Sequence, residues 1–288
     1  MIELEAVPEL NDPIVVAAFE GWNDAGESAT AAVEYLARAW DATLVAAMDP
    51  EDYYDFQVNR PRIGLVDGQR TLQWPTTRVL LARDTPAGRD VLLVMGIEPS
   101  IRWRSYCAEL LDFAMHHGAS LLVTLGGLLA DVPHSRPIPV SVTSEDPGLR
   151  ERHGLERSTY EGPTGIVGVV VDQARQRGLP ALSAWAAVPH YAGGAPSPKA
   201  TLALVNRLEE LLECVIDDTE LVEQARAWER GVDELAASDD EVAEYVQSLE
   251  QAQDTADLPE ASGDAIAREF ERYLRRRGRG GPEGPSGT

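Results

Sequence analysis

Short apolar runs alternate with amphipathic helical patterns over roughly the first two thirds of the chain. Residues 14–19 form a continuous apolar run, which is typical of a strand buried on both faces. Further strand-like runs lie at 43–48, 91–94, 121–125 and 181–188. Alternating strands and helices predict a mostly parallel sheet with helices on both faces. The expected fold class is therefore α/β, in the form of a three-layer α/β/α sandwich.

Local signals mark where some of these elements begin and turn. Asp24 and Glu27 have the spacing of a capping box, which predicts that Asp24 is the N-cap of the first long helix. Ser197-Pro198 predicts the start of another helix, with the serine as its cap. Asp67-Gly68 lies between two strand-like runs and predicts a hairpin, which is expected at an antiparallel edge of the sheet.

The composition changes after about residue 215. Residues 209–264 contain 19 acidic side chains and two arginines, while apolar residues still recur at helical spacing. This pattern predicts two acidic helices that meet near Asp239, where residues 238–241 have capping-box spacing, and a last helix at 264–277. The expected domains are an α/β/α core of residues 1–215, a helical extension of residues 216–277 and a disordered tail of residues 278–288.

Charge and cysteine usage limit the classes of function. A formal net charge of −23 argues against binding to nucleic acid or to an anionic membrane, since both need a basic face. The most apolar stretch, residues 121–130, is too short to cross a bilayer, and residues 1–6 do not have the pattern of a secretory signal. Cys107 and Cys214 are expected to be reduced thiols in a cytoplasmic protein without a metal or cofactor.

The sequence contains no strong catalytic motif: it lacks a G-x-S-x-G elbow, a P-loop, an HExxH pair and a GxGxxG after a strand. Polar residues nevertheless follow several predicted strands. Ligands of open parallel sheets bind beyond the carboxyl ends of the strands. Five segments are predicted to share that rim: residues 21–24, 96–99, 126–127, 132–139 and 188–191.

Ten residues at or near this rim form the candidate ligand site, and each has a structural alternative. They are Asn23, Asp24, Gly126, Gly127, His134, Arg136, Glu161, Thr164, His190 and Lys199. The first two either cap a helix or present its free N–H groups to a ligand. The glycine pair either lets a ligand approach the backbone or makes a plain turn. His134, in a proline-rich loop, is either an acid or base or a plain surface side chain.

The remaining candidates lie near the starts of two predicted helices. Glu161 is either a general base or hydrogen-bond acceptor, or a solvated residue beside a helix that Thr164 caps. Lys199 lies in the first turn of a helix, where the helix dipole disfavours a cation. The free N–H groups of that turn attract anions, so Lys199 either completes a site for a small anionic ligand or is a solvated surface lysine.

Six motifs in combination resemble the type-two proteasome assembly chaperone family, and more closely its actinobacterial branch. They are GWNDAG at 21–26, DYYDF at 52–56 with Arg60-Pro61, GIEP at 96–99 with Arg102-Trp103, LGGLLADVPH at 125–134, YEGPTG at 160–165, and VPHY at 188–191 with PSPK at 196–199. The resemblance covers residues 12–215. It implies an α/β/α fold similar to nucleoside phosphorylases and hydrolases. Related eukaryotic proteins are heterodimeric chaperones of proteasome α-ring assembly.

The resemblance implies no agreed catalytic residues. Some family members end in a hydrophobic–Tyr–any tripeptide that docks between proteasome α subunits. The sequence ends in Ser286-Gly287-Thr288, so docking of that type is not expected.

Two functions remain open from the sequence. The first is a cytosolic protein-binding or assembly factor that forms a homo-oligomer. Its expected partners are proteasome subunits or another protein. Its candidate anchors are aromatic and arginine residues, for which the core is the competing location: Tyr53, Tyr54, Phe56, Arg102 and Trp103. The alternative is a small-molecule binding protein or enzyme that takes an anionic, nucleoside-like ligand at the strand-end rim.

Overall fold

The computed structural model describes residues 1–66, 68–194 and 196–255, and over these residues it contains ten β-strands and eight α-helices. The strands are β1 (Ile2–Glu3), β2 (Ile14–Glu20), β3 (Thr43–Ala47), β4 (Arg62–Val66), β5 (Gln69–Gln73), β6 (Arg78–Ala82), β7 (Val91–Ile97), β8 (Leu121–Ala130), β9 (Val140–Thr143) and β10 (Ala181–Pro189). The helices are α1 (Ser28–Ala39), α2 (Pro50–Tyr53), α3 (Trp103–His116), α4 (Pro147–His153), α5 (Ile166–Gln176), α6 (Pro198–Leu212), α7 (Thr219–Ala237) and α8 (Asp240–Thr255).

Eight strands form one central sheet in the order β1-β3-β6-β7-β2-β8-β10-β9. The four central strands β7, β2, β8 and β10 are parallel, whereas β1, β3, β6 and β9 pair antiparallel with their neighbours. Helices α1 and α6 cover one face of this sheet, and α3 and α5 cover the other. The predicted α/β/α sandwich with a mostly parallel sheet is confirmed.

The continuous apolar run of β2 reflects its position at the centre of both cores. Its alternate residues point to opposite faces, so Ile14 and Val16 pack in the α1–α6 core while Val15 and Phe19 pack in the α3–α5 core. All four are buried, and burying each such aliphatic or aromatic side chain contributes about 1.5–3 kcal/mol. Burial on both faces is what removes the polar–apolar alternation from this strand.

Two sequence predictions about strands are wrong. The strand predicted to end at Gly126-Gly127 continues to Ala130, so both glycines lie within β8. The hairpin of β4 and β5 forms, but it is a separate two-stranded sheet and not an edge of the central sheet. The reason is that β3 and β6, which flank the hairpin in sequence, pair directly with each other. Asp67, the first turn residue, lies outside the described residues.

The helix starts also differ from the sequence predictions. A 3₁₀ turn (Ala25–Glu27) precedes α1, and Gly26 and Glu27 adopt left-handed backbone angles with φ of 61° and 52°. Asp24 is therefore four residues before the helix and is not its N-cap residue. Ser197 precedes α6 but makes no side-chain cap hydrogen bond.

Helix α7 packs against α6, and a short break separates it from α8. Asp239, rather than Ser238, caps α8, because its Oδ1 accepts hydrogen bonds from the backbone N–H groups of Glu241 and Val242. The division of the chain at residue 215 stays a prediction. The helix predicted at 264–277 and the tail at 278–288 lie outside the described residues.

Candidate functional site

The segments that follow β2 and β7 meet the interior of β8 and the start of α5 at the rim, around the buried side chain of Asn23. The Asn23 side-chain N–H donates to Oε1 of Glu98 at 3.0 Å, and the same oxygen accepts the backbone N–H of Ile166 at 2.8 Å. Ile166 is the first residue of α5, so Glu98 places a carboxylate where the helix dipole favours one. The carbonyl of Asn23 accepts the N–H of Gly127 at 2.8 Å. These contacts hold together the ends of β2 and β7, the interior of β8 and the start of α5.

Asp24 is buried beside this cluster. Although it lies before α1, its side chain accepts hydrogen bonds from the free N–H groups at the start of that helix. Its carboxylate accepts the backbone N–H groups of Ala29, at 2.7 Å, and of Thr30, and it also accepts the Thr30 hydroxyl. Burial raises the pKa of Asp24 from its usual value to about 6, against the opposing effect of the Thr30 hydrogen bond. The side chain thus has a structural role at the position where the sequence predicts a ligand.

The raised pKa of Asp24 predicts a pH-dependent contribution to stability. A carboxyl whose folded-state pKa is raised stabilises the fold while it is protonated, and that contribution is lost as the pH rises through about 6. Between pH 5 and pH 7.5 the wild type should lose about 1–2 kcal/mol relative to Asp24→Asn, whose amide does not ionise. Urea denaturation of both proteins at several pH values checks this. Parallel stability profiles would contradict a shifted pKa at Asp24.

Gly126 and Gly127 are required for close packing within the protein. A Cβ at Gly126 would lie 2.5 Å from the ring of Trp185, and one at Gly127 would contact the Ser28 hydroxyl and lie 2.8 Å from the carbonyl oxygen of Ala25. The space that a ligand would need next to these backbone atoms is therefore filled by protein. The glycine pair is neither a turn nor an open approach to the backbone.

A second cluster forms where α7 covers the ends of β8 and β10. The buried ring of His134 lies between Tyr191 and Asp233, with Nδ1 2.8 Å from the Tyr191 Oη and Nε2 3.0 Å from the Asp233 Oδ1. Burial raises the pKa of Tyr191 to about 12, so its phenol is neutral. Tyr191 Oη accepts the backbone N–H of His134 and can donate its own hydrogen to Nδ1, which leaves Nε2–H for Asp233. The chain of hydrogen bonds from Asp233 through His134 to Tyr191 thereby holds α7 against the core.

Lys199 is engaged in the same cluster. Its Nζ donates to the carbonyl oxygen of His134 and lies 2.7 Å from Oε2 of Glu229 on α7. The anion beside Lys199 is therefore a carboxylate of the chain itself. This pairing offsets the unfavourable position of a cation at the start of α6.

His190 and Arg136 lie at the outer side of this cluster, against α8. The His190 ring packs edge-on against Tyr245, with ring centroids 5.3 Å apart, and its Nδ1 is 3.4 Å from Oδ1 of Asp131. Arg136 lies with its Nη1 3.7 Å from Oε1 of Glu250. The two candidates thus contact the acidic helix that covers this end of the rim.

The two remaining candidates, Glu161 and Thr164, are exposed on the loop before α5 and are not part of either cluster. Thr164 lines a separate cleft of about 900 Å³ along edge strand β9, between the sheet, α5 and residues 154–164. Trp22, Tyr160 and Trp185 supply aromatic surface in this cleft. Sequence reasoning missed the cleft because β9 was not predicted, although a tryptophan within the apolar run of β10 was a signal of it.

Two of the proposed protein-binding anchors belong to the core. Tyr53 and Tyr54 are buried, and Tyr54 Oη lies 2.8 Å from the Thr77 hydroxyl. They cannot contact a partner directly, whereas Arg102 is exposed and pairs with Asp52 at 2.6 Å. Phe56 packs on Trp74 and Trp103 is half-buried, so these two retain some accessible surface.

Comparison with known proteins decides the family. The model of the PAC2 family matches residues 18–236. This chain belongs to the PAC2 family. The resemblance of the motifs to proteasome assembly chaperones of the actinobacterial branch is thereby confirmed. No curated protein matches this PAC2 chain.

Solved structures of proteins from actinobacteria are similar to this chain over most of its length. A PAC2 family protein from Streptomyces avermitilis is 56% identical with a TM-score of 0.77, covering 82% of this chain and 100% of its own. A proteasome-assembly chaperone homologue from Mycobacterium tuberculosis is 48% identical with a TM-score of 0.74, covering 81% and 99%. A second M. tuberculosis protein, of unknown function, is 24% identical with a TM-score of 0.78, covering 96% and 91%, and shows the fold alone.

Three further properties of the described part of the chain concern metal binding, membrane helices and cysteines. Within residues 1–66, 68–194 and 196–255, no group of three or more His, Cys, Asp or Glu side chains is arranged to hold a metal ion. Over the same residues, none of the helices has the length and apolar character needed to cross a membrane. Cys107 and Cys214 are free thiols, and burial raises the pKa of Cys107 to about 12.

Proposed function

We propose that this PAC2 protein is a cytoplasmic binding factor that assists the assembly of a protein complex, with proteasome subunits as the first candidate partners, and that it works as a homo-oligomer. The observation that carries the proposal is the 48% identity to the M. tuberculosis proteasome-assembly chaperone homologue over 81% of the chain. The similarity extends over 99% of that homologue, so it includes the complete fold.

The contacts at the rim support a binding role over a chemical one. A general acid or base needs a proton-transferring atom that can reach a substrate. Asp24 is committed to the start of α1, His134 to Tyr191 and Asp233, and Lys199 to Glu229. These three candidate residues thus hold the loops and helices of the rim in place. A rim whose loops are tied by such contacts is suited to presenting a preformed surface to another protein.

A reconstitution experiment tests the assembly function. Purified chain is mixed with separately purified actinobacterial proteasome α and β subunits, and complexes are followed by native mass spectrometry and by the appearance of peptidase activity. We expect a complex of the chain with α subunits and a faster appearance of activity. An equal concentration of Asp24→Asn protein serves as a matched control that should behave like wild type, because Asp24 is buried. Unchanged assembly together with no detectable complex would contradict the proposal.

The alternative of small-molecule binding keeps one supporting observation, the cleft beside β9. Its aromatic side chains and the arginines Arg157, Arg175 and Arg207 are of the types that bind planar, anionic molecules. Each arginine is already paired with a carboxylate, of Glu145, Asp172 and Glu210 respectively, which weakens its attraction for an anion. An increase in melting temperature with phosphate, nucleosides or nucleotides would favour this alternative over assembly.

A further inference from the structure

The floor of the cleft beside β9 differs from the rest of the same sheet face. On the side that α3 and α5 cover, the sheet presents apolar side chains such as Val15 and Phe19. Ser183 lies on this side of β10, because it is two residues from Trp185, which packs against that core. Its cross-strand partner on the edge strand is Thr143, and both line the cleft. The apolar face therefore ends at the cleft, where the sheet presents hydroxyl groups.

These hydroxyl groups form a row across three neighbouring strands. Thr124 of β8 is paired with Ser183 of β10, and Ser183 is paired with Thr143 of β9. The Thr124 hydroxyl lies 3.1 Å from the Ser183 Oγ, to which it donates. Ser141 lies two residues before Thr143 on the same face and adds a further hydroxyl to the cleft. Within the described part of the chain, the hydroxyls of Ser141 and Thr143 have no hydrogen-bond partner, so both can bind a ligand.

The indole ring of Trp185 lies flat on the sheet beside this row. A Cβ at Gly126 would be 2.5, 2.6 and 2.7 Å from three consecutive atoms of its six-membered ring, so the ring turns a face toward the backbone of β8. The Trp185 Nε1 donates to the Ser183 Oγ at 2.9 Å, which fixes the orientation of the ring. Trp185 is half-buried and lines the cleft. The cleft therefore contains an oriented aromatic surface next to a row of hydroxyls.

The charges that line the cleft cancel. Three arginines and three acidic residues line it, in a chain whose net charge is −23. Arg157 lies 2.6 Å from a carboxylate oxygen of Glu145, and Arg175 lies 2.9 Å from one of Asp172. An ionic ligand would have to compete with these pairs. An uncharged ligand would leave them intact and could use their remaining donors and acceptors, since a guanidinium has five N–H groups and a carboxylate accepts several hydrogen bonds.

We propose that the cleft beside β9 binds an uncharged sugar ring, which packs its C–H face on Trp185 and hydrogen-bonds to the hydroxyls of Ser141 and Thr143. Sugar hydroxyls donate and accept hydrogen bonds, as serine and threonine hydroxyls do, so the two sets are complementary. The cleft volume of about 900 Å³ lies within the range of about 300–1,000 Å³ that small-molecule sites occupy. The inference goes beyond the proposed assembly function and does not rest on it. An uncharged sugar also differs from the anionic, nucleoside-like ligand of the alternative function.

Saturation-transfer difference NMR of the full chain with glucose, N-acetylglucosamine and maltose tests the proposal. Each sugar is titrated to about 10 mM, which fills most of a site whose Kd is near 1 mM. We expect at least one sugar to bind, with the strongest saturation at the C–H hydrogens of one ring face. Thr143→Val replaces the hydroxyl with a methyl group and should weaken binding about fivefold, the loss of one hydrogen bond. Trp185→Leu should weaken it about tenfold. Thr43→Val, at an exposed position of β3 in the other half of the sheet, should leave binding unchanged.

Three results would overturn the proposal. Absence of saturation with all three sugars excludes an uncharged sugar site. Tighter binding of glucose 6-phosphate than of glucose shows that the arginines hold an anion despite their pairing. Binding that Thr143→Val does not weaken places the sugar elsewhere on the protein. Far-ultraviolet circular dichroism shows whether each variant is folded, and Thr143→Val decides alone if Trp185→Leu is not, because Thr143 is a partly exposed edge residue. The measurement contains no proteasome subunits, so its failure leaves the assembly function untouched, and a failure of assembly leaves the sugar site intact.

Discussion

Replacing Gly127 with alanine should lower the free energy of unfolding by about 3 kcal/mol, at the upper end of the usual cost of overpacking. The added Cβ would lie 2.8 Å from the carbonyl oxygen of Ala25 and in contact with the Ser28 hydroxyl. These atoms belong to the turn before α1, which the Asn23 carbonyl fastens to the N–H of Gly127 at 2.8 Å. Strand β8 cannot move away, because β10 pairs with it on its other side.

Urea denaturation of Gly127→Ala and of Gly231→Ala measures this effect against a matched control. A Cβ at Gly231 meets no atom within 4 Å, and the residue lies on the exposed side of α7. Gly231→Ala should therefore raise stability by about 0.5–1 kcal/mol, the gain in helix propensity. If Gly127 instead served the approach of a ligand, alanine would leave stability unchanged and weaken ligand binding. Equal stability of the two variants would contradict the packing role.

The strands of the central sheet were predictable where both faces are buried. The runs that became β2, β7 and β10 have no polar residue at a core position, because helices cover both sides of the sheet. The end of β8 was not predictable in the same way. Glycine is a turn residue by preference, and only the proximity of Trp185 and of the α1 turn requires it within a strand.

The candidate site was predictable only as far as topology determines it. The carboxyl ends of parallel strands share one rim, so the meeting of Asn23 with the segment that contains Glu98 follows from strand order. Strand order does not indicate that Asp233 is the partner of His134. Asp233 is 99 residues away along the chain, and nothing local to either residue indicates that an acidic helix returns over the rim.

Because α7 covers the rim, the polar residues there have structural partners and need not indicate a ligand site. Considered alone, Lys199 and His134 are typical of ligand sites, and the sequence cannot show that Glu229 and Asp233 neutralise or hold them. The acidic side chains of α7 thus fall into two groups. One group faces inward and fastens the helix, while residues such as Glu234 remain exposed and give the outer surface its charge.

Replacing His134 with alanine should release α7 and α8 from the core without unfolding the central sheet. The variant loses two hydrogen bonds of a buried ring and its edge-on contact with Trp228, at a centroid distance of 6.5 Å. Lys199–Glu229 and Tyr245–Asp131 remain, so the free energy of local opening should fall by about 2 kcal/mol rather than vanish. Amide exchange in residues 219–255 should accelerate about thirtyfold, with little change in β2 and β8. His116→Ala, an exposed histidine at the end of α3, should leave exchange in both regions unchanged. Acceleration spread evenly over the sheet and the helices would show that His134 supports the fold as a whole and does not fasten α7 in particular.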